Sequence, residues 1–340
     1  KYLILSSLLP FLLAFLWTPA VLLAAEENPR EEILREIRSL ERSAGFSPRD
    51  TTYINRLIDL AGEMRFYQAD SLHQLAKRSL TLSEKAGYLL GEARSYLRLA
   101  DFHSDKGNSD KAIEFYKKGL VLAGEAGADN LKISALNGLS GEYVYQGDIA
   151  GALTKYLEAL ELAEQTGELV MQSIINENIA NLYAEQKDYD HCLEYFKKVK
   201  RINNKLGNDI INAETMSNLA SVYADMGNLE YAMFNINQSI DTFEENRILD
   251  WLAFAYETKG KVYLKKFNYK WALYWYNQAE MLHMNLDDDR SRIDLLNGMA
   301  EAHFGQGNDS LAAAYATEGF RISEKINFRE GKRDCAQTLY

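Results

Sequence analysis

The chain has 340 residues, with 38 Lys and Arg against 49 Asp and Glu, for a formal net charge of −11. At 47% hydrophobic and 26% charged residues the composition is globular rather than disordered. The acidic balance argues against a nucleic-acid partner, whose footprint is a basic surface. Two cysteines, Cys192 and Cys335, exclude a disulfide scaffold and a four-cysteine zinc site.

Taken in chain order, residues 1–25 come first. Lys1 is followed by an uncharged apolar run ending in Ala24-Ala25 before Glu26. This reads as a secretory signal peptide, and the run is also long enough for an uncleaved signal anchor. Either one predicts export, to the periplasm or to a membrane-anchored position facing it. The first residue is Lys, which predicts a slightly truncated frame. Residues 26–48 hold a predicted capping helix, with Pro29 in its first turn and Ile33, Leu34, Ile37 and Leu40 on one face. Residues 49–88 read as a degenerate first hairpin, with Leu72 where later units carry a small residue.

Residues 89–328 divide into six units of forty residues. Ala112, Ala152, Cys192, Ala232, Ala272 and Ala312 share one column. Twelve residues upstream lie Ala100, Ser140, Ala180, Ala220, Gly260 and Ala300, all small. Nine upstream lie His103, Tyr143, Tyr183, Tyr223, Tyr263 and His303, all rings. Four downstream lie Tyr116, Tyr156, Phe196, Ile236, Tyr276 and Ala316. Each unit predicts two helices around a turn such as Gln146-Gly147-Asp148, closed by a residue suited to the left-handed conformation. Gly87, Gly127, Gly167 and Gly207 hold that closing column, with Asp287 and Asn327 as substitutes, and Arg247 breaks it. Small residues let paired helices approach closely, and stacked hairpins bury one another's apolar faces. Residues 329–340 read as the start of a further helix, either a cap or a cut unit.

These columns resemble the tetratricopeptide repeat family, as in LNGLSGEYVYQGDIAGALTKYLEAL over residues 136–160. The resemblance implies an all-α fold, a right-handed solenoid of stacked antiparallel helix hairpins. The forty-residue period departs from the family's usual 34 and matches its longer-unit members. The signal segment and repeats also look like the extracytoplasmic input region of bacterial tetratricopeptide sensor kinases and regulators.

No motif for catalysis emerges. The sequence has no His-Glu-x-x-His pair, no phosphate loop and no Gly-x-Ser-x-Gly, and His103 and His303 occupy a packing column. Asp287-Asp288-Asp289 lacks the spacing of a calcium loop and reads as a solvated turn. The chain is therefore expected to be non-catalytic and to need no cofactor or metal.

By helical geometry, the positions flanking the small column face the concave groove. They include Asn178, Asn181, Asn218, Ser221 and Glu177, with Asn137 and Asn297 one position earlier in their units and Arg94 and Arg98 further along the face. Asn presents both a donor and an acceptor to an extended peptide backbone, and members of the family use groove asparagines in this way. The expected function is a non-catalytic exported scaffold that holds a peptide or protein in its groove, as the input region of a larger signalling protein. A free-standing periplasmic adaptor is the alternative, and an enzyme with an unrecognised groove site a remote one. No nucleic acid is expected. Contact with a membrane is expected only through the N-terminal segment or a downstream helix.

Overall fold

The computed structural model describes residues 29–65, 68–283, 289–326 and 328–339. The predicted signal segment, Asp287, Asp288, the side chain of Asp289, Asn327 and Tyr340 lie outside the described residues. Among those described, the chain forms sixteen helices and no strand, and no helix is long and apolar enough to cross a membrane.

α1 (Pro29–Glu41) lays Ile33, Leu34 and Ile37 on Tyr53, Leu57 and Leu60 of α2 (Thr51–Glu63), which precedes α3 (Ala69–Ala86). Six hairpins follow. α4 (Leu89–Asp105) pairs with α5 (Ser109–Glu125), and α6 (Asp129–Gln146) with α7 (Ile149–Thr166). α8 (Leu169–Glu185) pairs with α9 (Tyr189–Leu206), and α10 (Asp209–Asp225) with α11 (Leu229–Asn246). α12 (Leu249–Lys265) pairs with α13 (Tyr269–His283), and α14 (Asp289–Gly305) with α15 (Asp309–Lys325). α16 (Arg329–Leu339) packs on α15 and α14. The first helix of each hairpin also packs on the first helix of the next, from α4 through α16. These even-numbered helices form the inner layer, and its tighter spacing curves the stack around them.

Local chemistry sets each hairpin. In α7, Ala152, Tyr156, Ala159, Leu160 and Ala163 are buried at helical spacing. The Asp148 side chain caps its start by accepting from the Gly151 amide at 2.9 Å, and Gly167 ends it at φ 75°. Left-handed residues recur every twenty positions: Gly87, Gly107, Gly127, Gly147, Gly167, Lys187, Gly207, Gly227, Arg247 and Phe267. One series closes the units and the other turns the hairpins. The expectation that Arg247 breaks the closing column is corrected here. Arg247 adopts φ 56° itself, because its amide must reach the Glu244 carbonyl to end α11.

The small column is fully buried at Ala100, Ser140, Ala180, Ala220 and Ala300. At Gly260 a Cβ would fall 2.7 Å from the Tyr276 ring, and at Gly298 one would fall 2.6 Å from the same ring. Tyr276 is therefore wedged between its own first helix and that of the following unit, where only a missing side chain leaves room for the ring.

The stack curls far enough to meet itself. A Cβ on Gly107, in the first hairpin turn, would lie 1.9 Å from the Ile326 carbonyl oxygen, and Tyr145 makes an edge contact with Phe328 at 6.1 Å between ring centroids. The end of the sixth unit therefore abuts the turns of the first two.

Candidate functional site

The residues expected from the sequence to face a groove lie on the even-numbered helices α4, α6, α8, α10 and α14, in three stretches of different chemistry. At the N-terminal end Arg94 bonds Asn55 at 2.8 Å and Asp59 at 2.6 Å. Arg98 bonds Asp101 at 2.8 Å, and Arg65 makes a forked pair with Asp105 at 2.8 and 2.7 Å. Tyr116 donates to Asp101 at 2.9 Å. Burial lowers the basicity of Arg65, but Asp101 and Asp105 outweigh it and its pKa ends well above the ordinary value. Arg94 and Arg98 are held by carboxylates of the preceding and the same unit, and Arg65 by carboxylates of the following one.

The central stretch is carboxamide-rich. Asn178 donates to Asn137 at 2.9 Å, and Asn218 donates to Glu177 at 3.2 Å. Each bond joins one unit to the residue forty-one positions earlier. Thr338 repeats the pattern by donating to Asn297 at 2.8 Å. Asn181 differs, because its half-buried side chain makes no hydrogen bond within the described residues. Gly141 holds the equivalent position one unit earlier, and a Cβ there would meet nothing within 4 Å.

Glu177 is a strongly perturbed carboxyl of this stretch. Burial raises its pKa to about 7 against the pull of its hydrogen bond from Asn218. Glu214, one unit on, is also raised to about 7, by burial and then by the charge of Asp250. Both are substantially protonated near neutral pH, so the middle of the groove is less acidic than its sequence.

In the C-terminal stretch Lys261 bonds Ser221 at 3.2 Å and Asp225 at 2.8 Å, and Lys265 lies 3.4 Å from Asp225. Sequence reasoning missed Asp59, Asn203, Glu214, Thr215 and Asp225 as site residues. Their signal was weak: Asn203, Glu214, Thr215 and Asp225 occupy columns whose other members are chemically mixed, and Asp59 lies in the degenerate first hairpin, so only the three-dimensional neighbours mark them out.

A buried polar path crosses the wall behind the central stretch. Ser173 donates to Asn203, Asn203 donates to Thr215 at 2.9 Å, and Thr215 donates to Glu177 at 3.5 Å. Asn203 is fully buried where Ala123 and Ala163 stand in earlier units, so its amide must be satisfied internally.

The small and aromatic columns, the inner layer of first helices and the all-helical stack meet on one family. Residues 91–165 and 171–245 match the tetratricopeptide repeat model. Over these residues the repeats are tetratricopeptide repeats. No curated protein matches the chain in sequence. Among solved structures, a Rap protein complexed with Competence and Sporulation Factor superposes with a TM-score of 0.71 at 16% identity, covering 88% of this chain and 81% of that one. The Rap conjugation gene regulator of plasmid pLS20, in complex with the Phr* peptide, gives 0.61 at 14% identity, covering 89% and 87%. Aspartyl phosphate phosphatase F from Bacillus subtilis gives 0.59 at 15% identity, covering 74% and 64%. At these identities the likeness is one of fold: a tetratricopeptide solenoid of similar extent and curvature.

Proposed function

We propose that this tetratricopeptide array is a non-catalytic scaffold whose concave face holds an extended peptide or a protein segment. The observation that carries the reading is the carboxamide row. Asn178 and Asn218 are locked to the preceding unit, whereas the half-buried Asn181 keeps its donor and acceptor free among the described residues. An extended backbone has the matching acceptor and donor on each residue. One solved structure of similar fold holds the Phr* peptide and another is complexed with Competence and Sporulation Factor, which supports this use of the surface. The thiols add no nucleophile, because burial pushes both Cys192 and Cys335 up to about 11, leaving them protonated at neutral pH.

The test is capture from a random peptide library by the parent chain and by Asn181→Ala, with peptides read by sequencing. The parent enriches a defined set and the variant loses it. An identical enriched set from both would remove the groove reading.

The uncharged run at residues 2–25 supports a finer version, in which the scaffold acts outside the cytoplasm as an input module. Fusion of alkaline phosphatase to the C-terminus tests this. Activity in intact cells is expected, and an inactive cytoplasmic fusion would sink it.

A further inference from the structure

The joint between the third and fourth units departs from the others on the outer face. α9 and α11 stand apart over α10, leaving a cleft of about 710 Å³, within the ordinary range for small-molecule sites. The sequence explains the gap. Lys200 stands in the column of Leu120, Leu160, Ile240 and Glu280, and Thr215 stands where Ser95, Ala135, Ile175, Ala255 and Leu295 stand in other units. At this joint both positions are polar, whereas at every other joint from Leu80/Ser95 to Glu280/Leu295 at least one of the two is apolar.

The cleft walls carry opposite charge. Lys197 and Lys200 line it from α9, while Asp241 and Glu245 line it from α11. None of the four forms an ion pair or side-chain hydrogen bond among the described residues. The side chains of Asn204, Asn212 and Gln238 also reach the cleft with no hydrogen bond of their own. Phe196, Met216 and Leu219 supply an apolar floor. Convergent polar groups with unsatisfied capacity over an apolar base are the composition of a ligand pocket. A neutral sugar would leave both charged walls unused, and an anion would meet the carboxylates.

We propose that this outer cleft is a second binding site, separate from the concave groove, for a small zwitterion of the amino-acid or short-peptide class. The ligand carboxylate pairs with Lys197 and Lys200, its ammonium with Asp241 and Glu245, and its amide groups with the free carboxamides. Asn203 and Thr215 also line the cleft and continue inward to Glu177, so the occupied cleft shares a hydrogen-bonded path with the groove.

Isothermal titration of the full chain with glycylglycine, L-lysine and L-glutamate tests the site, with D-glucose and sodium phosphate as controls. Binding of at least one zwitterion and of neither control is expected. Lys197→Ala/Lys200→Ala and Asp241→Asn/Glu245→Gln are each expected to weaken it by about tenfold or more, since every such pair contributes to a partly desolvated contact. All four residues are exposed, so thermal melts of both variants should match the parent. Asn181→Ala is expected to leave the titration unchanged, which separates this site from the groove. The absence of heat with every zwitterion, stronger binding of glucose or phosphate, or undiminished binding in both double variants would overturn the assignment.

Discussion

Asn178 donates a 2.9 Å hydrogen bond to Asn137, forty-one residues earlier and one unit back. The groove face is therefore cross-linked along its length by its own polar side chains, and a residue's value to a ligand depends on whether that bond already engages it.

Asn178→Ala and Asn181→Ala should behave differently. The first leaves Asn137 short of a partner and is expected to lower stability by about 0.5–1.5 kcal/mol. The second removes no internal bond and is expected to leave the melt unchanged while weakening peptide capture. Urea denaturation of both variants gives the comparison, and equal destabilisation would contradict the pairing.

Glu177 makes stability depend on pH. Its pKa is raised from 4.5 to about 7 in the fold, so the folded chain binds the proton more tightly than the unfolded one. Its contribution is fully present below about pH 4.5 and is lost as pH rises through 7. Glu177→Gln, which keeps an acceptor for Asn218, is expected to gain at most about 3 kcal/mol above pH 7 and nothing near pH 4. Melts at the two pH values check the sign. Glu214 titrates over the same window, so the variant retains part of the slope.

Arg247→Gly should stabilise the chain. Arg247 occupies φ 56° at the end of α11, where the side chain crowds its own backbone. Relief of that crowding, less the added freedom of glycine in the unfolded chain, gives a gain of about 0.5–1 kcal/mol. A lower melting temperature would show that the Arg247 side chain contributes more than its backbone costs.

Gly107→Ala tests the closure of the stack. Its φ of 70° and the nearby Ile326 carbonyl leave no room for a methyl group. The variant is expected to lose about 1–2 kcal/mol and to show a larger radius of gyration by small-angle scattering. An unchanged radius would mean that the first turn and the sixth unit meet too weakly to hold the curvature.

The columns were legible in the sequence because each unit meets its neighbours in the same way. A demand for a small residue at Ala100 or Gly260 recurs every forty positions, and one sequence displays it six times. The left-handed column was only half legible. Glycine announces such a position, whereas Lys187, Arg247 and Phe267 adopt it because the flanking helices compel them to. Helical spacing alone puts Asn178 and Asn218 at one position of successive first helices with Asn181 a turn away, and the bonds of the first two run between those helices.

Which of those asparagines is free was decided by tertiary structure. Pairing at forty-one residues depends on the offset between neighbouring first helices, which spacing within a helix does not fix. The opening between α9 and α11 and the meeting of Gly107 with Ile326 are of the same kind. Each follows from angles between packed units, which accumulate along the stack and which no single column of residues sets.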